Sequence, residues 1–181
     1  MPAPSRLALW LLPLCFLIAG CATTSSKSDV SLGSLVVERL SWMDDVARYK
    51  QARGLPVTDP AREAALLEAM TTLGAENGLP STAVRGFFAG QMAAARQYQK
   101  EWLASPESSA STSAPMPDLQ GSIRPALDKL GRQMISALAQ ARSSSDPKAV
   151  ADSTRRSLTE AGYSKAVIAL AMDGVELGLS R

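Results

Sequence analysis

The sequence predicts an all-α protein, a single bundle of about six helices. Alternating β-branched residues are scarce, whereas Ala, Leu, Glu, Gln and Arg, which favour helix, dominate the chain. Apolar residues recur at helical spacing, and Pro and Gly separate these segments into short connections. The length of 181 residues indicates one domain. Short connections between helices predict antiparallel neighbours in the bundle.

The first predicted helix runs from about Asp29 to Ala52 and ends at Gly54. Its apolar residues form one stripe: Leu32, Leu35, Val36, Leu40, Met43, Val46 and Ala47. Arg39 and Lys50 fall on this stripe, because eleven residues make three helical turns plus only about 20° of rotation. Unpaired charges that face a core are costly, so these two cations indicate a function.

The other five helices are placed by capping residues, by Pro in a first turn and by Gly at an end. They are expected at about Asp59 to Gly78, Ser81 to Ala104, Ile123 to Ala141, Pro147 to Gly162 and Ser164 to Leu177. Thr58 or Asp59 is expected to cap the first of them and Ser81 the next. Arg62 lies in line with the apolar residues of its helix, and too few acids share these faces to pair with all three cations. The simplest interpretation is an anionic ligand held inside the bundle.

The N-terminal residues 1–20 have the pattern of a targeting segment. Arg6 is followed by a short apolar run that is interrupted by Pro13 and is too short to span a membrane. The run ends in Ile18-Ala19-Gly20-Cys21, which resembles the lipobox of bacterial lipoproteins. This resemblance implies cleavage before Cys21, lipidation of its sulfur and a membrane anchor. Ala22 is similar to the pattern of lipoproteins sorted to the outer membrane, so an exported, periplasmic protein is expected.

The resulting organisation is a signal peptide (1–20), a polar tether after a lipidated Cys21 (21–31) and a helical domain (32–181). A Ser- and Pro-rich segment at 105–118 is expected to be a flexible linker inside that domain. The alternative is an ordinary cleaved signal in which Cys21 has no role.

Composition excludes several classes of protein. The formal net charge of +2 falls to +1 without residues 1–20, which argues against nucleic-acid binding. The chain has no His, so it contains no Ser-His-Asp triad, no Cys-His pair and no His-based zinc site. Cys15 leaves with the signal and Cys21 is the expected lipid site, so no disulfide is available. No phosphate loop or calcium-loop spacing is present, and neither a metal nor a cofactor is expected.

Five segments together resemble the all-helical (AroQ) chorismate mutases, specifically their exported (gamma-type) subclass. They are Glu38-Arg39-Leu40, 45–50, 55–63, Phe87–Ala95 with Gln99 and Trp102, and 123–130. The resemblance covers residues from about 35 to 138. It implies the AroQ helical fold, the rearrangement of chorismate to prephenate in the phenylalanine/tyrosine branch of aromatic amino-acid biosynthesis, and a possible homodimer with each site built within one chain.

The resemblance also implies roles for seven residues. Arg39 and Arg124 would bind the substrate carboxylates. Lys50 would donate to the ether oxygen and to a carboxylate, with Gln99 as the second donor to that oxygen. The others would hold the ring-side end of the ligand, accept its hydroxyl or support the cations: Arg62, Asp59 and Glu63.

These residue types suit a concerted [3,3] shift, in which no proton moves and catalysis is by positioning and electrostatics. Arginine binds a carboxylate as an oriented fork. Ala95 departs from the family, which often has a small hydroxyl side chain at that position, so one carboxylate contact would be missing.

Each residue also has a structural interpretation. Arg39 alone could extend along the bundle edge to solvent, and Lys50 suits a helix C-terminus. Asp59 could act only as an N-cap and Glu63 as a solvated first-turn acid. Gln99 could lie at the surface. Arg124 lies at a helix start, at the edge of the apolar face.

The alternative function is a non-catalytic helical envelope lipoprotein that acts as a scaffold or binds a small diacid. Catalysis requires the cations to converge on one cavity of small-molecule size. A scaffold would scatter them to solvent and expose a large apolar patch instead.

Overall fold

Seven α-helices and no strand make up the part of the chain that this computed structural model describes, residues 31–106, 108 and 115–180. Their bounds are α1 Leu32–Ser41, α2 Met43–Ala52, α3 Pro60–Glu76, α4 Ser81–Ala104, α5 Arg124–Ser143, α6 Pro147–Glu160 and α7 Lys165–Leu179. A π-helical turn, Leu119–Ile123, leads directly into α5. The predicted all-α class is confirmed.

Within those ranges no helix combines the length and the apolar character needed to cross a bilayer. The predicted signal peptide, Cys21 and nearly all of the polar tether lie outside the described residues, as does part of the predicted linker.

The first predicted helix is divided into two helices, and the residues of its predicted stripe remain on one shared face. α1 begins at Leu32 after Ser31, whose hydroxyl accepts a hydrogen bond from the Ser34 amide at 3.1 Å. Trp42 separates α1 from α2, yet its φ of −75° and ψ of −10° stay close to helical values. The Val46 amide donates to the Trp42 carbonyl at 3.2 Å, so the helical register continues across the break. The predicted alignment of the two cations on one face therefore survives.

The predicted caps are partly correct. Asp59 caps α3, because its Oδ1 accepts from the Arg62 amide at 3.1 Å. Ser81 is not the cap of α4 but its first residue. Pro80 is the cap instead, since its extended backbone (φ −63°, ψ 139°) already directs its carbonyl to the Val84 amide.

Each of the two connections that flank α3 begins near a glycine in a left-handed conformation. Gly54 (φ 62°) follows α2 and Gly78 (φ 72°) follows α3, as the sequence predicts for helix ends. The Leu79 amide then donates to the Gly74 carbonyl at 2.9 Å and closes the end of α3.

α4 is the central helix of the bundle and packs along α7, α3 and α2. Gly90 and Gly174 allow α4 and α7 to approach closely, because a Cβ built at Gly90 would lie 2.4 Å from the Gly174 Cα. The largest fully buried side chains include Phe87 and Phe88 of α4. Their rings meet edge to face at 5.1 Å.

The π turn before α5 was not predicted. Leu119 and Ile123 are both buried, and the Asp118 carboxylate accepts from the Gly121 amide at 2.8 Å. The sequence places these residues at the edge of a polar linker, where five residues are too few for a periodic signal. The turn brings Leu119 to the wall of the cavity described below.

Candidate active site

One cavity between α1–α5 brings together all seven residues singled out in the sequence. The empty space of this cavity is about 720 Å³ when the open solvent at its mouth is included. The seven lining residues are Arg39, Lys50, Asp59, Arg62, Glu63, Gln99 and Arg124.

Apolar side chains complete the wall of the cavity. They come from five elements and include Met43, Val46, Leu66, Met92, Leu119 and Leu127. Ala95, only 5% exposed, also lines the cavity, one turn before Gln99 on α4. Apolar walls exclude water, so interactions between charges inside the cavity are strong.

Arg39 is a buried cation without a carboxylate partner among the described residues. It is only 7% exposed, and its Nε–H donates to no protein acceptor within those residues. Burial lowers the pKa of Arg39 to about 10, with a further contribution from repulsion by Arg62 that Asp128 partly offsets. The interpretation that Arg39 extends along the bundle edge to solvent is therefore wrong.

Lys50 lies at the end of α2, half-buried, with its ammonium group hydrogen-bonded to the backbone carbonyl of Val57. Burial lowers the pKa of Lys50, and Arg124 lowers it further, while the carboxylates of Asp59 and Glu63 act in the opposite direction. No carboxylate of the described ranges lies within hydrogen-bonding distance of the ammonium group. Its positive charge is therefore not neutralised by a direct partner at the cavity wall.

Each of the three carboxylates in the cavity wall lies beside one arginine. Glu63 accepts from Arg96 at 2.6 Å, and Asp128 accepts from Arg62 at 2.5 Å. Asp59, besides capping α3, lies 3.7 Å from Arg124. The expectation that too few acids share the faces of the first two predicted helices to pair with all three cations is correct for Arg39 and Lys50. Arg62 does have a partner, Asp128, which comes from α5.

Arg96 and Asp128 were missed as site residues. Arg96 lies three residues before Gln99 and Asp128 four residues after Arg124, so each shares a helix face with a predicted residue. That spacing was visible in the sequence. The identity of their ion-pair partners depends on how α3 packs against α4 and α5.

Gln99 lies in the interior, not at the surface, and is 4% exposed. Its Nε2 donates to the Met43 Sδ at 3.5 Å, a weak acceptor. Its Oε1 has no hydrogen-bond partner in the described part of the chain. The amide is therefore buried at the cavity wall without a strong partner, which is costly unless a ligand completes its hydrogen bonds.

The charges of the cavity wall leave a net positive site. Five cations and three carboxylates line it, which gives a net charge of +2. No group of three or more Cys, Asp or Glu side chains in the described ranges is arranged to hold a metal ion. The fold and this cavity define an all-helical protein with an enclosed cationic site that matches a small dianion.

Comparison with known proteins identifies the family. A family model described as chorismate mutase type II matches residues 24–100. The structure is similar to the crystal structure of chorismate mutase from Burkholderia thailandensis, with a TM-score of 0.67 and 33% sequence identity over 83% of this chain and 96% of that one. The chain therefore belongs to the all-helical, AroQ-type chorismate mutase family.

Two curated relatives agree with this assignment. The chain is 34% identical over 122 residues to a monofunctional chorismate mutase of Enterobacter agglomerans, which covers 64% of this chain and 65% of that protein. It is 32% identical over 77 residues to a secreted chorismate mutase of Yersinia pestis, which covers 40% of this chain and 41% of that protein. The chain thus spans less than two thirds of either curated relative.

Proposed function

We propose that the protein is an isomerase that converts chorismate to prephenate in this cavity, at the branch leading to phenylalanine and tyrosine. In the rearrangement the ether C–O bond breaks while a C–C bond forms, and no proton is transferred. Negative charge accumulates on the ether oxygen as that bond breaks. An enzyme accelerates such a step by holding the compact conformer and by placing donors at that oxygen.

The proposed roles follow the family. Arg39 and Arg124 bind the two carboxylates of the substrate, and Lys50 and Gln99 donate hydrogen bonds to the ether oxygen. Arg62 holds the ring-side end of the ligand. Asp59 and Glu63 accept the ring hydroxyl or keep the neighbouring cations in place.

The net charge of the cavity wall is the observation that carries this proposal. Chorismate is a dianion, and the wall carries a net charge of +2. Three of the five wall cations lie beside a carboxylate, whereas Arg39 and Lys50 have no carboxylate partner among the described residues. The family resemblance assigns these two cations to the substrate. Gln99 supports the proposal too, because its Nε2 has only the weak acceptor Met43 Sδ and can donate to the ether oxygen instead.

The experiment is direct. The purified protein is mixed with chorismate, and loss of the ultraviolet absorbance of its diene is followed while prephenate is identified among the products. We expect enzyme-dependent conversion in the absence of added metal or cofactor. Binding of chorismate without conversion would support the small-diacid binder instead. If the protein neither binds nor converts chorismate, both the mutase and the binder are excluded.

The cation arrangement does not favour a scaffold. Five cations line one cavity instead of being scattered to solvent. The large apolar side chains that are exposed among the described residues are only three, Leu55, Met116 and Leu177.

We also propose that the protein is exported and anchored by lipid at Cys21, in the periplasm and at the outer membrane. The segment Ile18 to Cys21 and the secreted relative in Yersinia pestis support this. Expression of the full chain in a Gram-negative host should place the protein in the membrane fraction, labelled by radioactive palmitate. Cys21→Ser should remove the label and the membrane association. An unlabelled, membrane-free wild-type protein would contradict the anchor.

The homodimer implied by the exported subclass is a further proposal, which sedimentation of the purified protein tests. The exported subclass also implies a site built within one chain, so we expect specific activity to be independent of protein concentration.

A further inference from the structure

Two ion pairs join the N-terminal ends of α3 and α5 along one wall of the cavity. α3 contributes the acid Asp59 and the cation Arg62, and α5 contributes the cation Arg124 and the acid Asp128. Each helix thus supplies one acid and one arginine, three residues apart on α3 and four apart on α5. This spacing places both members of each helix on the same face.

The two pairs differ in closeness. The Arg62 guanidinium donates to Asp128 at 2.5 Å, whereas Arg124 and Asp59 are 3.7 Å apart and Arg124 also donates to the Gln120 side chain at 2.9 Å. The first pair is a formed hydrogen bond and the second is only a charge contact. A ligand carboxylate can therefore draw Arg124 away from Asp59 more easily than it can draw Arg62 away from Asp128.

Arg62 has to share the cavity with the buried cation Arg39. Repulsion between the two guanidinium groups disfavours the charged form of Arg39, and the carboxylate of Asp128 counteracts that repulsion. Arg62 uses one nitrogen for Asp128, which leaves other N–H groups of its fork for a ligand. Removal of the Asp128 charge would raise the net charge of the wall from +2 to +3 and free Arg62 to move away from Arg39.

We propose that Asp128 is a positioning residue: by holding Arg62 and setting the net charge of the cavity wall, it orients the site for a dianion. This inference rests on the proposed function. Asp128 acts through Arg62, and the charge of Arg62 neutralises that of Asp128. We therefore expect the loss of Asp128 to affect turnover more than ground-state binding.

The test uses Asp128→Asn, which keeps the size and an oxygen acceptor but removes the charge. We expect kcat to fall by about tenfold or more because Arg62 is misplaced, with KM within about threefold of wild type. The binding ratio of isophthalate to benzoate, a matched dianion and monoanion, should rise by about threefold or more because the wall gains a positive charge. Asp128→Glu, which retains the charge, should keep the wild-type ratio.

The control is Asp152→Asn, which removes the acid of the exposed Lys148 pair on α6 and should leave all of these values unchanged. Wild-type kinetics in Asp128→Asn would overturn the proposal. Weaker binding of both acids with an unchanged isophthalate-to-benzoate ratio would also overturn it, because that result indicates a merely structural role. The same holds if the ratio in Asp128→Glu rises as much as in Asp128→Asn. The ratio is measured by calorimetry without turnover, so it tests the effect of Asp128 on the charge of the cavity wall independently of the reaction. A wild-type protein that binds both acids but leaves chorismate unchanged would contradict the proposed function and the expected effect on kcat. An unchanged ratio in Asp128→Asn would overturn the inference by itself.

Discussion

The ammonium group of Lys50 donates a hydrogen bond to the Val57 carbonyl, seven residues further along the chain in the loop before α3. A carbonyl is a neutral acceptor, so this bond fixes the lysine without cancelling its charge. The loop thereby holds Lys50 at the cavity, where the proposed reaction requires a cationic donor. An ammonium group has three donors, so a ligand oxygen need not displace Val57.

Lys50→Ala should lower kcat by about 10²- to 10³-fold, because one donor to the charge that develops in the transition state is lost. The thermal unfolding midpoint should change little, since burial already disfavours the charged lysine. Chorismate turnover and calorimetry measure the two effects. Lys148→Ala, at an exposed lysine of α6, is the control and should match wild type. Wild-type turnover in Lys50→Ala would remove the proposed mechanism.

Gln99→Glu should convert a flat pH profile into a declining one. A glutamine amide donates at any pH, so wild-type kcat should stay nearly constant from pH 5 to about 8 as far as Gln99 is concerned. A glutamate donates only when it is protonated, so the variant should lose about tenfold of its activity per pH unit above the pKa of the new carboxyl group. Profiles of both proteins in one buffer series test this. A steep loss through neutrality in the wild type would contradict Gln99 as the donor.

The placement of the main cations was predictable because it depends on one helix at a time. Arg39 and Lys50 lie eleven residues apart, and their shared face follows from helix geometry even across the break at Trp42. The partners of Arg62 and Glu63 were not predictable, because Asp128 and Arg96 belong to other helices and meet them only through tertiary packing. Helix geometry alone places Gln99 at the margin of the α4 stripe and leaves a surface position open. Its burial depends on tertiary packing, since α2 lies against that margin and contributes Met43.

Arg39→Met should stabilise the protein while it abolishes activity. Burial lowers the pKa of Arg39 to about 10 in the folded state, below that of the free side chain, so the native state disfavours the bound proton. Wild-type stability therefore rises as the pH passes above about 10, and at neutral pH the cost of the buried charge is fully present. Replacement by an apolar side chain of similar length should raise the free energy of unfolding by about 2 kcal/mol.

Denaturant unfolding at pH 7 measures this gain, with Arg132→Met on the exposed face of α5 as the control that should show no gain. A less stable Arg39→Met protein would mean that the unpaired charge is not costly in the native state.

Ala95→Ser should restore a contact that the family often has. Ala95 is 5% exposed and lines the cavity one turn before Gln99, so a hydroxyl there can donate to a ligand carboxylate. One hydrogen bond is worth about 1 kcal/mol, which corresponds to a KM about fivefold lower at nearly unchanged kcat. Steady-state kinetics with Ala89→Ser, an exposed position on the same helix, provide the comparison. An unchanged KM would show that no carboxylate lies near this position.

Gly90→Ala should destabilise the bundle more than Gly86→Ala, although both glycines lie in α4. A methyl group at Gly90 would meet the backbone of α7, at 2.4 Å from the Gly174 Cα and 2.9 Å from the Leu170 carbonyl oxygen, so the two helices must move apart. At Gly86 the closest contact is one side-chain atom, the Cβ of Leu177 at 2.8 Å, and the next lies at 3.4 Å, so a smaller shift of α7 is needed. Alanine also brings better helix propensity. We expect a loss of about 2–3 kcal/mol in Gly90→Ala and a smaller loss in Gly86→Ala, measured by denaturant unfolding. Because α4 also carries Gln99 and Ala95, Gly90→Ala should lower turnover as well, and equal stability of the two variants would contradict the close contact between α4 and α7.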